Sequence, residues 1–173
     1  MKKGLILINT GNGKGKTTAA FGMILRAIGH NLTSEVIQFI KQRPTGEITA
    51  LSTMAPTLVT INQFGNGFTW ESTDPDRDQQ CATDGWNYAK QIIKDNSAHI
   101  LLLDEITYPI NDKLIDLTEV ISVLASKPPM MNIIITGRNA PVELIEIADC
   151  VSEISAKKHH FDQNIHLQKG IEF

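Results

Sequence analysis

The sequence predicts an α/β fold in which helices cover both faces of a mostly parallel sheet. Three observations predict it. Short apolar runs alternate along the chain with longer, amphipathic segments. Some of those runs, Ile100-Leu101-Leu102-Leu103 above all, are apolar without interruption, as a strand buried on both faces requires. Glycine, proline and aspartate stand at the boundaries between the two kinds of segment.

The elements follow in order. Leu5 to Asn9 is short and rich in branched residues and reads as a buried strand. Thr17 to Ile28 reads as a helix, with Ala19, Ala20, Met23, Ile24, Ala27 and Ile28 at helical spacing. Gly29 is placed to cap it with positive φ. Glu35 to Ile40 is a second strand and Leu58 to Phe64 an alternating third. Asp74-Pro75 predicts an N-cap followed by proline at the first helical position, where no N–H is needed. That helix runs to Asn96 with Ala82, Trp86, Ala89 and Ile93 on one apolar face. His99 to Asp104 is the next strand. Asp116 and Glu119 predict a capping box for a helix over Leu117 to Ala125, stopped by Pro128-Pro129. Asn132 to Thr136 is a strand, Pro141 to Ala148 a short helix and Val151 to Ile154 a last strand. Lys41 to Glu47 and Gly65 to Thr73 are expected to be loops.

Composition bounds the function. At 173 residues the chain suits one domain, 1–173, with a real core. With 42% hydrophobic and 20% charged residues it is an ordinary globular type, not a disordered one. Sixteen Lys plus Arg against nineteen Asp plus Glu give a net charge of −3, which argues against a dedicated nucleic-acid binder. No run approaches the roughly 18 apolar residues that span a bilayer. The apolar stretch after Met1-Lys2-Lys3 is too short for a signal peptide. Cys81 and Cys150 have no metal or redox spacing, so reduced thiols and a cytoplasmic location are expected.

The strongest local signal is Thr10-Gly11-Asn12-Gly13-Lys14-Gly15-Lys16-Thr17-Thr18, between the first strand and the first helix. Glycines let consecutive backbone N–H groups converge on phosphate oxygens, and the helix N-terminus adds partial positive charge. Lys16 can neutralise phosphates, and Thr17 can place its hydroxyl on a magnesium ion. The usual spacing, G-x-x-x-x-G-K-[ST], would put a glycine where Thr10 stands. Starting from Gly11 the loop is one residue shorter and carries an extra lysine, Lys14. Leu101-Leu102-Leu103-Asp104-Glu105 supplies the second half, a buried strand ending in two carboxylates. Asp104 or Glu105 could hold the metal, directly or through water. The expected fold is therefore P-loop NTPase-like, of the RecA-like kind.

These features identify a nucleotide site and leave the reaction open. No Asn-Lys-x-Asp element suggests a GTPase, and no cysteine pairs suggest a zinc-bearing thymidine kinase. Thr136-Gly137-Arg138 ends a strand on the same rim, so Arg138 could clamp a phosphate; a plain surface arginine is the alternative. Lys41 follows the second strand and can face the site. Phe68 and Trp70 lie in a glycine-bracketed loop, where they either anchor the loop or present an apolar face to a large flat ligand. Lys157 to Asp162 carries a histidine pair, read as a polar loop rather than a switch or metal site.

Taken in order, the loop at 10–18, Gln-Phe-Ile-Lys at 38–41, Gly-Phe-Thr-Trp-Glu at 67–71, Leu-Asp-Glu-Ile-Thr-Tyr at 103–108, Ile-Thr-Gly-Arg at 135–138, and Lys-His-His-Phe-Asp and Gly-Ile-Glu-Phe at 158–162 and 170–173 resemble the phosphate-loop ATP:corrinoid adenosyltransferases. The likeness covers nearly the whole chain, and the shortened loop is normal in that family. It implies transfer of the 5′-deoxyadenosyl group of ATP to the reduced cobalt of a corrinoid, with triphosphate as leaving group. It implies that Asn12 to Thr18 contact ATP, with Lys16 and Lys14 stabilising charge on the triphosphate. Mg2+, or Mn2+ in its place, would sit on Thr17 and Glu105, with Asp104 as the close alternative. Phe68 and Trp70 match aromatics that help displace the lower axial ligand of the corrinoid. A homodimer and a flavodoxin-type electron donor are implied as partners. A P-loop ATPase or kinase is the competing expectation; a passive carrier would not need the Asp104-Glu105 pair.

Overall fold

The structure is a computed structural model, and it describes residues 3–40, 45–65, 67 and 74–172. Among them, six strands form one sheet: β1 (Ile6–Thr10), β2 (Ser34–Gln38), β3 (Val59–Gln63), β4 (Ile100–Asp104), β5 (Asn132–Thr136) and β6 (Cys150–Glu153). Their spatial order is β3-β2-β4-β5-β1-β6, and every pairing is parallel. All strands therefore end on one rim. The helices are α1 (Lys16–Ile28), α2 (Gly46–Met54), α3 (Pro75–Asp95), α4 (Thr107–Asn111), α5 (Leu117–Ala125) and α6 (Val142–Glu146), with a short 3-10 helix at His160–Gln163.

Side chains alternate across the sheet and build two cores. Ile6, Ile8, Ile37, Leu101, Leu103, Ile133 and Ile135 pack under α3, α5 and α6. Val36, Ile100, Leu102 and Ile134 pack under α1 and α2. The central strand β4 is buried along its whole length, as its unbroken apolar run requires. Each such side chain contributes about 1.5–3 kcal/mol of burial. The edge strand β6 is exposed at all four residues, so its tie to the fold is the parallel ladder with β1.

The helices mostly begin and end for the reasons the sequence gives. Asp74 accepts a hydrogen bond from the Arg77 N–H at 3.1 Å, with Pro75 opening α3. Ala82, Trp86, Ala89 and Ile93 are all buried. On α1 the buried stripe is Ala20, Phe21, Ile24 and Ala27; Ala19 is exposed, so Phe21 takes the place expected of it.

Three expectations are corrected and one helix is added. Gly29 caps α1 with a right-handed φ of −61°, and the positive φ falls two residues later at Asn31. The capping box is half made: Asp116 accepts from the Thr118 N–H at 2.8 Å. Glu119 instead accepts from Trp86 Nε1 at 2.9 Å and from Lys90 Nζ at 2.7 Å, because α3 packs close by. The loop drawn over Lys41 to Glu47 overlaps α2, which starts at Gly46 with Thr45 before it. The helix α4 was not expected; it tucks Thr107, Pro109 and Ile110 into the core directly after the carboxylate pair. Cys81 and Cys150 are free thiols.

Candidate active site

The site lies on the rim where the strands end, as in other open α/β sheets. Thr10 closes β1 and pairs with Glu153, and its hydroxyl accepts from the Ala140 N–H at 3.2 Å. That is why a threonine suits the place of the first glycine: it belongs to the strand. The loop then runs against the chain leaving β6. The Gly13 N–H donates to the Ile154 carbonyl at 2.6 Å. A Cβ on Gly11 would meet that carbonyl oxygen at 2.5 Å, and one on Gly13 at 2.7 Å. Both positions demand glycine by close approach.

Gly15 turns the chain into α1 with φ 113°. No side chain caps this helix and no acidic residue stands in its first turn, whereas α3 and α5 each open on an aspartate that accepts a backbone N–H. The start of α1 thus presents the positive end of the helix dipole to an anion rather than to a capping side chain.

The first residues of α1 face the carboxylate pair. Thr17 Oγ1 donates to Asp104 Oδ1 at 2.8 Å, and Thr136 Oγ1 donates to the same oxygen at 2.7 Å. Gln38 Nε2 donates to Asp104 Oδ2 at 2.8 Å, and Gln38 Oε1 accepts from Gln63 at 2.9 Å. A chain of hydrogen bonds therefore crosses from the edge strand β3 to the start of α1. Asp104 is fully buried behind Thr17, while the next residue, Glu105, takes φ 65° and lines the pocket. A non-glycine residue there is held by its surroundings; the Glu105 N–H is fixed by Thr136 Oγ1 at 2.9 Å.

A pocket of about 490 Å³ opens at this point, lined by residues 12–18 together with Glu105 and Arg138. The structure thus brings together most of the residues singled out from the sequence. Gly11 supports the loop from beneath, and Asp104 stands behind Thr17. Lys41, Phe68 and Trp70 fall outside the described residues. Arg138 follows Gly137, whose φ is 143° and whose missing Cβ leaves room for Thr107 Oγ1. That hydroxyl donates to the Arg138 carbonyl at 2.7 Å and fixes the rim.

The Lys16 ammonium folds back to donate to the Gly13 carbonyl at 2.6 Å. Burial lowers its pKa below the ordinary lysine value, the Arg138 guanidinium lowers it further, and the Glu105 carboxylate opposes both. Lys14 takes another direction: it donates to Glu172 Oε2 at 2.8 Å and to the Ile171 carbonyl at 2.9 Å. The pocket is also walled by Tyr108, His159, Phe161, Ile171 and Glu172, none of which the sequence reading gave a role. The signal was present in the motifs at 158–162 and 170–173.

A loop of this build, an uncapped helix behind it and a buried aspartate on its threonine define a phosphate-loop nucleotide-binding protein. Comparison with known proteins narrows the class. Residues 2–173 match the family described as ATP:corrinoid adenosyltransferase BtuR/CobO/CobP. A corrinoid adenosyltransferase of Sinorhizobium sp. is 44% identical over 99% of this chain and 81% of its own. That of Escherichia coli K12 is 40% identical over 99% and 87%. The corrinoid adenosyltransferase CobA of Salmonella typhimurium is 39% identical over the same shares. The chain belongs to the ATP:corrinoid adenosyltransferase family, whose activity is transfer of an adenosyl group from ATP to a corrinoid.

Proposed function

We propose that residues 12–18 seat the triphosphate of ATP as the leaving group of adenosyl transfer, within a single domain spanning 1–173. The observation that carries this reading is the uncapped start of α1, with Lys16 and Arg138 in one pocket. Reduced cobalt of the corrinoid substrate attacks C5′ of the ribose. The Co–C bond forms as the C5′–O bond breaks, and the oxygen leaves with the electron pair as part of triphosphate. No protein side chain has to act as nucleophile. Lys16 and the N–H groups of α1 stabilise the charge that gathers on the leaving oxygen, and Arg138 adds a second cation. Lys14 joins them once it is released from the C-terminal segment.

The donors around Thr17 fit a hard divalent cation. They are the Thr17 hydroxyl, the Glu105 carboxylate in the pocket wall and Asp104 behind. Among the described residues no group of three or more His, Cys, Asp or Glu could hold a metal. Hard oxygen donors of this kind suit Mg2+, or Mn2+, held by one or two protein oxygens together with phosphate. Thr17 and Glu105 would hold it, with Asp104 orienting Thr17 from behind. When bound, the ion supplies charge neutralisation to the triphosphate.

Phe68 and Trp70 are proposed to meet the corrinoid and to exclude its lower axial ligand, and Lys41 to face the same site. Loss of that ligand makes reduction to Co(I) easier, and an apolar wedge keeps water out of the position. Phe68→Ala or Trp70→Ala should spare activity with chemically pre-reduced cob(I)alamin more than activity starting from cob(II)alamin. Equal losses in both assays would remove the axial-ligand role. A homodimer, a flavodoxin-type reductase and a cytoplasmic location complete the proposal. No helix among the described residues is long and apolar enough to cross a membrane.

The direct test is product analysis with MgATP and cob(I)alamin under anaerobic conditions. A light-sensitive cobalt–carbon product together with intact triphosphate is expected. ADP and phosphate without that product would mean that the loop serves phosphoryl transfer.

A further inference from the structure

Lys14 is the lysine that the shortened loop adds, and its charge is already engaged. Its ammonium donates to Glu172 Oε2 at 2.8 Å and to the Ile171 carbonyl at 2.9 Å. The other oxygen of the same carboxylate, Oε1, is buried 3.2 Å from His160 Nε2 without a hydrogen bond to it. Glu172 thus ties the phosphate loop to the C-terminal segment beside the 3-10 helix. Its side chain is 14% exposed, and it forms part of the wall of the nucleotide pocket.

Among the described residues, the backbone hydrogen bonds that Ile171 and Glu172 donate stay within the segment, both to the Gln168 carbonyl. Leu167 and Ile171 are exposed apolar side chains. Among the described residues, the polar contacts of residues 166–172 with other parts of the chain run to Lys14 and His160.

A carboxylate and a phosphate oxygen are the same kind of acceptor for an ammonium. A polyphosphate seated on residues 12–18 places several negative charges beside Glu172, and like charges at that range repel. The two anions compete for one cation. We propose that Glu172 is a positioning residue for Lys14: it holds the ammonium at the pocket mouth and yields it to the triphosphate. Residues 166–172 then leave the mouth as nucleotide binds and return as triphosphate departs. The carboxylate acts as a built-in competitor that weakens product retention. This inference rests on the reading of residues 12–18 as the triphosphate seat.

The test uses the full chain with inorganic triphosphate as probe. Hydrogen exchange is followed at amides 166–172, and triphosphate affinity is measured by calorimetry for the wild type and for Glu172→Gln, which keeps the shape and loses the charge. Saturating triphosphate should speed exchange at 166–172 in the wild type. Glu172→Gln should bind triphosphate about threefold to fivefold more tightly, the scale of one exposed ion pair. A carboxylate that merely braced the segment would leave triphosphate affinity unchanged, and that result overturns the inference. Triphosphate that binds while exchange at 166–172 stays the same or slows overturns it too, and leaves the nucleotide reading intact. If neither triphosphate nor ATP binds, the nucleotide reading itself fails, and the inference with it.

Discussion

Lys16 sits where its own charge is disfavoured. Burial and the Arg138 guanidinium hold its pKa below the ordinary lysine value. An arriving polyphosphate reverses that balance by giving the ammonium a counter-charge. Binding must therefore take up protons in alkaline buffer, in the window between the lowered pKa and the raised one. Titration calorimetry in buffers of different ionisation heat reads this directly, and the uptake should shrink in Arg138→Ala, which removes the second of the two causes. Binding with no proton uptake in that window would contradict the electrostatic account. Lys16→Ala should lose ATP use altogether. At this scale the sequence was largely legible. That the loop residues, Asp104, Glu105 and Arg138 would gather on one rim was readable because strand, loop and helix are local features. The Lys14–Glu172 contact was not, because it joins residues 158 positions apart. No periodicity or spacing carries that information.

Elements divide by what closes their ends. Two helices open on aspartate caps, α3 on Asp74 and α5 on Asp116, and both caps could be read from the chain. Asp74→Ala should cost about 1 kcal/mol of stability by urea unfolding, and an unchanged midpoint would show that Pro75 alone sets the start of α3. Helix α5 and strand β5 fall on the bounds their patterns predict, because apolar spacing and flanking prolines coincide there. The misses have separate origins. Helix α2 buries only Leu51 fully, so it has too little apolar spacing to stand out. Helix α4 is five residues long with a proline inside it; a run that short has no period to read. The missing half of the α5 capping box is a tertiary effect, since Glu119 turns to Trp86 and Lys90 on α3.

Among the described residues the molecule is one parallel sheet with two cores, and surface carboxylates that tie its parts together contribute a modest, solvent-screened share of its acid sensitivity. Asp149 is held below its ordinary value by a hydrogen bond from Lys3 and by the Ile6 N–H. Glu119 is held low by Lys90 and, to a lesser degree, by Trp86. A depressed folded pKa stabilises above the unfolded value, about 4 for carboxylates, and that contribution is lost as the pH falls through the folded value. The urea midpoint should therefore be flat near neutrality and fall below about pH 4. Asp149→Asn should make the fall shallower; an identical slope would place the acid sensitivity elsewhere. Glu35, whose pKa burial raises, acts at higher pH: its penalty is relieved as the pH falls toward the unfolded value and adds nothing to the decline below it.

Because every strand runs in the same sense, the start of β1 and the pocket lie on opposite rims. Residues 170–172, by contrast, stand in the pocket wall. The two ends of the chain are therefore not equivalent handles. An affinity tag fused after the C-terminal segment would begin beside the phosphate loop and pull on Glu172. One fused ahead of Lys3 would emerge from the far rim and leave the nucleotide site undisturbed. Purified preparations differing only in tag placement should be expected to differ in triphosphate affinity.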